Sequence, residues 1–283
     1  MFIDTHSRET MMYGICNYFN LTIKELSLLF EKARKESQKE YYFDGDIFND
    51  IINNFIDVKM PNIPINEILF FHLSRRLNST SNNYIGKNLY ELLTTENEVS
   101  IFLKNHDVEF TPIDKHLELV YKGKKVSLTD SFRDNVPYLR WRLGYNENRI
   151  DYCFNGFMLK DLLYKNNYAR DLYKIPEFIG ILSSFLKRAD IVENYYINSK
   201  YYCFEYCLPL EKVLFDDDEN LSFKEKQKYL LNRIFHRLYE YYVSEPRYMF
   251  DHDNPIIRLR DDDTMDAEYF ISIEEITRDM IWR

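Results

Sequence analysis

The hydrophobic and polar positions change rhythm along the chain. Between Leu21 and Glu40, Ile23, Leu26, Leu29, Phe30 and Ala33 recur on one side of a helical wheel, and Lys, Glu, Arg and Gln fill the other. Thr22 and Glu25 stand at capping-box spacing, so an amphipathic helix is expected here. Phe43-Asp44-Gly45-Asp46 reads as a turn and Ile47 to Val58 as a second short helix. The stretch Lys59-Met60-Pro61-Asn62-Ile63-Pro64 is a linker whose prolines forbid continuous helix. The pattern predicts an N-terminal helical region, residues 1–60, ahead of a main domain, residues 61–283.

Beyond the linker the periods mix. Ile68 to Ser74 is a compact apolar run in which alternation puts Ile68, Phe70, His72 and Ser74 on one face, with Arg75 and Arg76 at its end. Asn88 to Lys104 predicts a helix. Leu117 to Tyr121, Lys122-Gly123-Lys124 and the run from Lys125 to Leu128 predict a hairpin. Phe157 to Tyr173 and Glu177 to Arg188 have helical spacing and are separated by Pro176. Tyr201 to Leu208 reads as a buried strand with Tyr202, Phe204, Tyr206 and Leu208 on one face and Tyr201, Cys203, Glu205 and Cys207 on the other. Ser222 and Glu225 form a second capping box. It opens a long helix over about 222–243, striped by Leu230, Ile234, Leu238 and Tyr241 and followed by a C-terminal extension. The expected class is α+β: mixed helices around a small, largely antiparallel β core, with an N-terminal helical appendage.

Composition narrows the chemistry. The 283 residues include 7 Gly and 8 Pro, and the closest glycines are Gly144 and Gly156. No Gly-x-Gly-x-x-Gly loop, Gly-rich phosphate cradle or Gly-x-Ser-x-Gly elbow can be written. The surplus is aromatic, with 24 Tyr, 21 Phe and 2 Trp, enough for a sizeable core. A net charge of −9 argues against coating nucleic acid through overall charge and leaves room for a local basic groove. The start of the chain lacks a basic-then-apolar leader, and no run of about eighteen apolar residues occurs, so a cytoplasmic protein without membrane contact is expected. Cys16, Cys153, Cys203 and Cys207 lack paired Cys-x-x-Cys spacing and read as reduced core residues.

Three segments carry candidate chemistry. Glu205 is a lone carboxylate inside an otherwise apolar strand, a placement that is costly unless the group is paired or functional. His72 and Ser74 beside Arg75 suit an anionic, hydroxyl-bearing ligand such as a nucleotide. Arg140, Arg142 and Arg149 are interleaved with Tyr138, Trp141 and Tyr145, a pattern that stacks on bases and pairs with phosphates. The Asn155-Gly156 pair that follows predicts a turn where backbone approaches something closely. Asp44-Gly45-Asp46 and Asp251-His252-Asp253 have the Asp-x-Asp spacing of divalent-cation sites, yet sit where turns favour Asp for backbone reasons.

Taken together, His72 at the end of an early strand, an aromatic Asn-Gly-Phe turn followed by a Tyr-rich helix, and a late strand with one buried Glu resemble the three-part ligand site of ADP-ribosyltransferases. The resemblance covers residues 65–215. It implies NAD as the substrate, Glu205 as the catalytic carboxylate, and His72, Ser74, Arg75, Tyr152, Asn155, Gly156 and Tyr168 as NAD-binding positions, with no metal. It further implies a nucleic-acid or protein acceptor, contacted through Arg140, Arg142 and Arg149, and a toxin or anti-phage defence role with a cognate inhibitor protein. The chain departs from the family in three ways: no Gly follows His72, Cys203 stands two residues before Glu205 where the toxins' Gln/Glu-x-Glu has its first residue, and the middle Tyr is not unique. Two other readings stand beside this one: a non-catalytic protein- or nucleic-acid-binding module with an aromatic and basic surface, and a metal-dependent phosphodiesterase or nucleotidyltransferase built on an Asp-x-Asp pair.

Overall fold

The computed structural model describes residues 1–77, 84–128, 135–146 and 150–282. In chain order their elements are α1 (Arg8–Phe19), α2 (Ile23–Ser37), α3 (Gly45–Lys59), β1 (Glu67–Leu77), α4 (Leu89–Thr94), α5 (Glu98–Lys104), β2 (Val108–Ile113), β3 (His116–Tyr121), β4 (Lys124–Lys125), α6 (Val136–Arg142), β5 (Asn155–Phe157), α7 (Asn167–Lys174), α8 (Glu177–Leu186), α9 (Ala189–Ile197), β6 (Ser199–Pro209), β7 (Leu214–Phe215), α10 (Phe223–Val243), β8 (Ile256–Arg258), β9 (Phe270–Glu275) and α11 (Arg278–Trp282). Six strands are hydrogen-bonded in the order β7-β8-β5-β1-β6-β9, and β2-β3-β4 form a separate antiparallel sheet. The fold is α+β. No helix among the described residues is long and apolar enough to cross a membrane, and the four cysteines are free thiols.

The chain divides into two compact units, each assembled from separate segments, and the division falls inside β1, β5, β6 and β8. The first unit comprises residues 1–71, 157–166 and 207–257. Its helical part exists because α2, α3 and α10 each carry an apolar stripe that must be covered. Thr22 caps α2 and Ser222 caps α10 through reciprocal bonds with Glu25 and Glu225, at the positions the spacing predicts. Phe235 on α10 is fully buried against Phe19, Phe30 and Phe55, and Phe48 packs on Tyr239 with ring centroids 4.3 Å apart. Residues 1–60 are therefore not an appendage: they supply the other half of the core that α10 needs. Asp44 is the N-cap of α3, its carboxylate accepting from the Ile47 N–H, which accounts for the first Asp-x-Asp without a cation.

The expected helix over Phe157 to Tyr173 does not form over most of that length. Met158 N–H donates to the Pro255 carbonyl, Leu159 N–H to Asn254 Oδ1 and Lys160 N–H to the Thr5 carbonyl, so the backbone is held out of a helix by partners far along the chain. Within the same unit, Arg237 is 2% exposed in its side chain and donates from Nε to Asp161 at 2.6 Å, with Glu240 on its other arm. Tyr241 donates its hydroxyl to the same Asp161 at 2.8 Å.

The second unit comprises residues 72–156, 167–206 and 258–283. Its core gathers Leu103, Val108, Leu117, Leu119, Leu139, Leu143, Leu182 and Ile191. The expected hairpin is present as β3 and β4, turned through Lys122 and Gly123 at φ 52° and 70°. β2 adds a third strand, paired from Val108↔Tyr121 to Ile113↔His116. The helix expected over Asn88 to Lys104 is broken in two, because Asn97 turns its side chain to cap α5. β6 pairs antiparallel with β9, Glu205 opposite Ser272, and β9 carries one extra residue between the partners of Glu205 and Tyr206.

Candidate functional site

Strand alternation sends the two adjacent arginines of β1 to opposite faces. Arg75 goes to the face of Ser199 and Tyr201. It is 7% exposed, and its guanidinium donates to Ser199 Oγ at 2.8 Å and to the carbonyls of Tyr173, Tyr196 and Ser199. It also lies over the Tyr196 ring at 4.2 Å, and Tyr195 returns a hydroxyl hydrogen bond to the Arg75 carbonyl. Arg75, expected among the NAD-binding positions, instead spends four donor contacts tying β1 to α7, α9 and β6.

Arg76 takes the face of His72 and Ser74. Its guanidinium sits 4.9 Å over the Phe204 ring, its buried Nε has no hydrogen-bond partner, and no carboxylate lies within ion-pair distance among the described residues. Burial lowers its pKa, and the nearby charge of Glu98 acts in the opposite sense. His72 is half-buried beside it, its ring against Phe154 with centroids 4.1 Å apart and 6.4 Å from Phe204. Nδ1 lies 2.7 Å from the Asn155 carbonyl, which can only accept, so Nδ1 carries the proton and Nε2 the free lone pair. Gly86 makes room for this arrangement, since a Cβ there would meet the Phe154 ring at 2.3 Å. The face thus offers a neutral imidazole acceptor, the Ser74 hydroxyl, and a cation without a carboxylate.

Glu205 does not join them. Phe204 and Tyr206 share a face, with rings stacked at an interplanar angle of 16°, and Glu205 between them points the other way. Its carboxylate is 6% exposed as a residue and accepts from Ser272 Oγ at 2.7 Å. His72 and Glu205 therefore lie on neighbouring strands but on opposite faces.

The remaining expected positions disperse. Asn155 and Gly156 belong to β5 rather than to a turn, and Asn155 contributes its backbone carbonyl to His72. Tyr152 is a packing residue: its hydroxyl donates to the Lys115 carbonyl at 3.2 Å and its N–H to Asp261 at 2.8 Å. Tyr168 lies on α7 and is 39% exposed. Arg140 lies over Tyr145 and donates to the Leu128 carbonyl, Arg142 is ion-paired with Asp151, and Arg149 is outside the described residues. The basic stripe expected of these arginines is thus largely engaged within the protein. The aromatic beside His72 is Phe154, which helical or strand periodicity could not single out from its neighbours.

Asp151, Cys153 and Asp261 bring their ligand atoms within 4.8 Å of one another. Arg142 already pairs with Asp151, and Arg258 lies 3.9 Å from Asp261, so the carboxylate charge is balanced without a cation. Burial and the neighbouring Asp151 push the Cys153 thiol up to about 12, leaving it protonated.

Burial, aided by the Arg76 charge, draws the His72 pKa from 6.5 to about 3. The unfolded chain thus binds a proton at His72 that the folded chain refuses, and stability falls as pH drops below 6.5 toward that lower value. His72→Gln removes the effect. Urea midpoints measured at pH 7.5 and pH 5 are expected to fall further for the wild type than for His72→Gln. The raised carboxyl pKa values of Glu240 and Asp261 act in the opposite sense but equally in both proteins. Equal falls would show that His72 titrates normally.

No family model matches the chain, and no curated protein or solved structure shows significant similarity to it.

Proposed function

We propose that the chain binds NAD on the His72 face of β1, in keeping with its resemblance to ADP-ribosyltransferases. The observation that carries this reading is Arg76: a half-buried guanidinium over an aromatic ring, with an unpartnered Nε and no carboxylate in reach, is suited to a pyrophosphate. The His72 lone pair and the Ser74 hydroxyl suit ribose hydroxyls, and Phe154 and Phe204 give the surrounding apolar surface. Transfer of ADP-ribose to a nucleic acid or protein is a larger claim resting on the resemblance. It needs a carboxylate at the reacting ribose carbon, and strand alternation turns Glu205 away from His72. The geometry therefore favours NAD binding over transfer driven by Glu205, and a toxin or defence role would follow only from transfer.

Calorimetric titration with NAD, ADP-ribose and nicotinamide tests this. NAD and ADP-ribose are expected to bind and nicotinamide alone to bind far more weakly. Arg76→Ala should weaken NAD roughly 10- to 100-fold, the worth of a charge-assisted hydrogen bond. If NAD does not bind, or Arg76→Ala binds it as the wild type does, the reading is wrong. Nicotinamide release that disappears in Glu205→Gln would reinstate transfer through Glu205.

A further inference from the structure

On the Arg75 side of β1, α7, α9 and α11 border an open pocket of about 420 Å³ lined by Tyr173, Lys174, Val192, Glu193, Tyr196, Arg278 and Trp282. That volume lies within the roughly 300–1,000 Å³ range of small-molecule sites. Its walls are aromatic: the Tyr173 and Trp282 rings meet edge to face with centroids 5.1 Å apart, and Tyr196 and Trp282 are 41% and 49% exposed. Large rings left half in water around a concave surface are the common form of a stacking platform.

The charge of this pocket runs against that of the chain. Lys174 and Arg278 line it, and neither has a carboxylate partner among the described residues. Behind the two tyrosines lies Arg75, whose hydrogen bonds go to a hydroxyl and three carbonyls, so its charge is solvated by dipoles and not neutralised by an acid. Two lining cations thus stand against one lining carboxylate, Glu193, with Arg75 behind the tyrosines, in a protein of net charge −9. An aromatic pocket with this bias selects a planar ring that carries an anionic group.

We propose that the pocket between α7, α9 and α11 binds a nucleoside monophosphate, its base against Trp282 and Tyr196 and its phosphate on Lys174 and Arg278. The site is separate from the proposed NAD face, because Arg75 and Arg76 lie on opposite sides of β1. The same chemistry is offered by a free mononucleotide and by the 5′-phosphorylated end of a single strand.

The chain has two tryptophans, so Trp141→Phe leaves Trp282 as a local fluorescent reporter. In that background AMP is expected to quench the emission saturably, with adenosine and inorganic phosphate each at least about tenfold weaker. Arg278→Glu and Lys174→Glu, changes at the rim, should each weaken AMP by about tenfold or more while circular dichroism melting stays unchanged. Arg76→Ala should leave the AMP curve as it was. A 5′-phosphorylated dinucleotide binding more tightly than AMP would assign the site to strand ends, and weaker binding to free nucleotides. The proposal is overturned by no saturable quenching at millimolar AMP, by adenosine binding as well as AMP, or by quenching indifferent to Arg278→Glu. None of these outcomes depends on whether NAD binds the other face.

Discussion

Replacing Arg75 with alanine is expected to lower the unfolding free energy by about 3–5 kcal/mol, whereas the same change at its neighbour Arg76 costs less than about 1 kcal/mol. Arg75→Ala would take a donor from Ser199 Oγ and the Ser199 carbonyl, which are buried, and from the part-buried carbonyls of Tyr173 and Tyr196. Each unsatisfied group costs about 1–3 kcal/mol, partly relieved by water entering the space. Arg76 loses only a contact with the Phe204 face, since its Nε bonds nothing. Arg75→Lys keeps the charge but not the planar fork, and should recover less than half of the loss. Urea unfolding followed by circular dichroism measures all three variants. Similar midpoints for Arg75→Ala and Arg76→Ala would refute the distinction drawn between the two faces.

Arg237→Ala is the second large effect, expected to destabilise by about 3–5 kcal/mol because it strands the Asp161 carboxylate in a buried site. The Arg237 and Asp161 side chains are 2% and 8% exposed, so solvent cannot readily replace the guanidinium. The Tyr241 hydroxyl still donates to Asp161 and tempers the loss. A double variant, Arg237→Met with Asp161→Leu, should regain most of the stability, since paired removal of a buried ion pair is often nearly neutral. If the double variant is as unstable as Arg237→Ala, the loss comes from packing rather than from an orphaned charge. Thermal and urea unfolding of the three proteins decides between them.

The local signals were the legible ones. Thr22 with Glu25 and Ser222 with Glu225 mark the starts of α2 and α10 because a capping box is complete within four residues. The alternation in Tyr201 to Leu208 likewise identifies β6 and the burial of Glu205 within it. Where the deciding partner is remote, the pattern misleads. Phe157 to Tyr173 has helical spacing, yet Leu159 N–H is taken by Asn254, 95 positions away. Arg75 and Arg76 are chemically identical neighbours, and what separates them is Ser199, 124 positions from Arg75. Alternation alone already opposes His72 to Glu205 once Phe204 is known to share the His72 face, but that contact is tertiary. The N-terminal helices read as an appendage because their own sequence does not show that Phe235 is what they cover.

The interleaving of the two units sets a timetable for synthesis. The first unit needs Phe71 and Ile257 alike, and the second resumes at Arg258. At about 5–20 residues per second, roughly 10–40 s separate the emergence of Phe71 from that of Ile257. Until α10 is completed at Val243, α2 and α3 wait with part of their apolar stripes uncovered, so the nascent chain, more than the finished protein, is where a holding chaperone would be required.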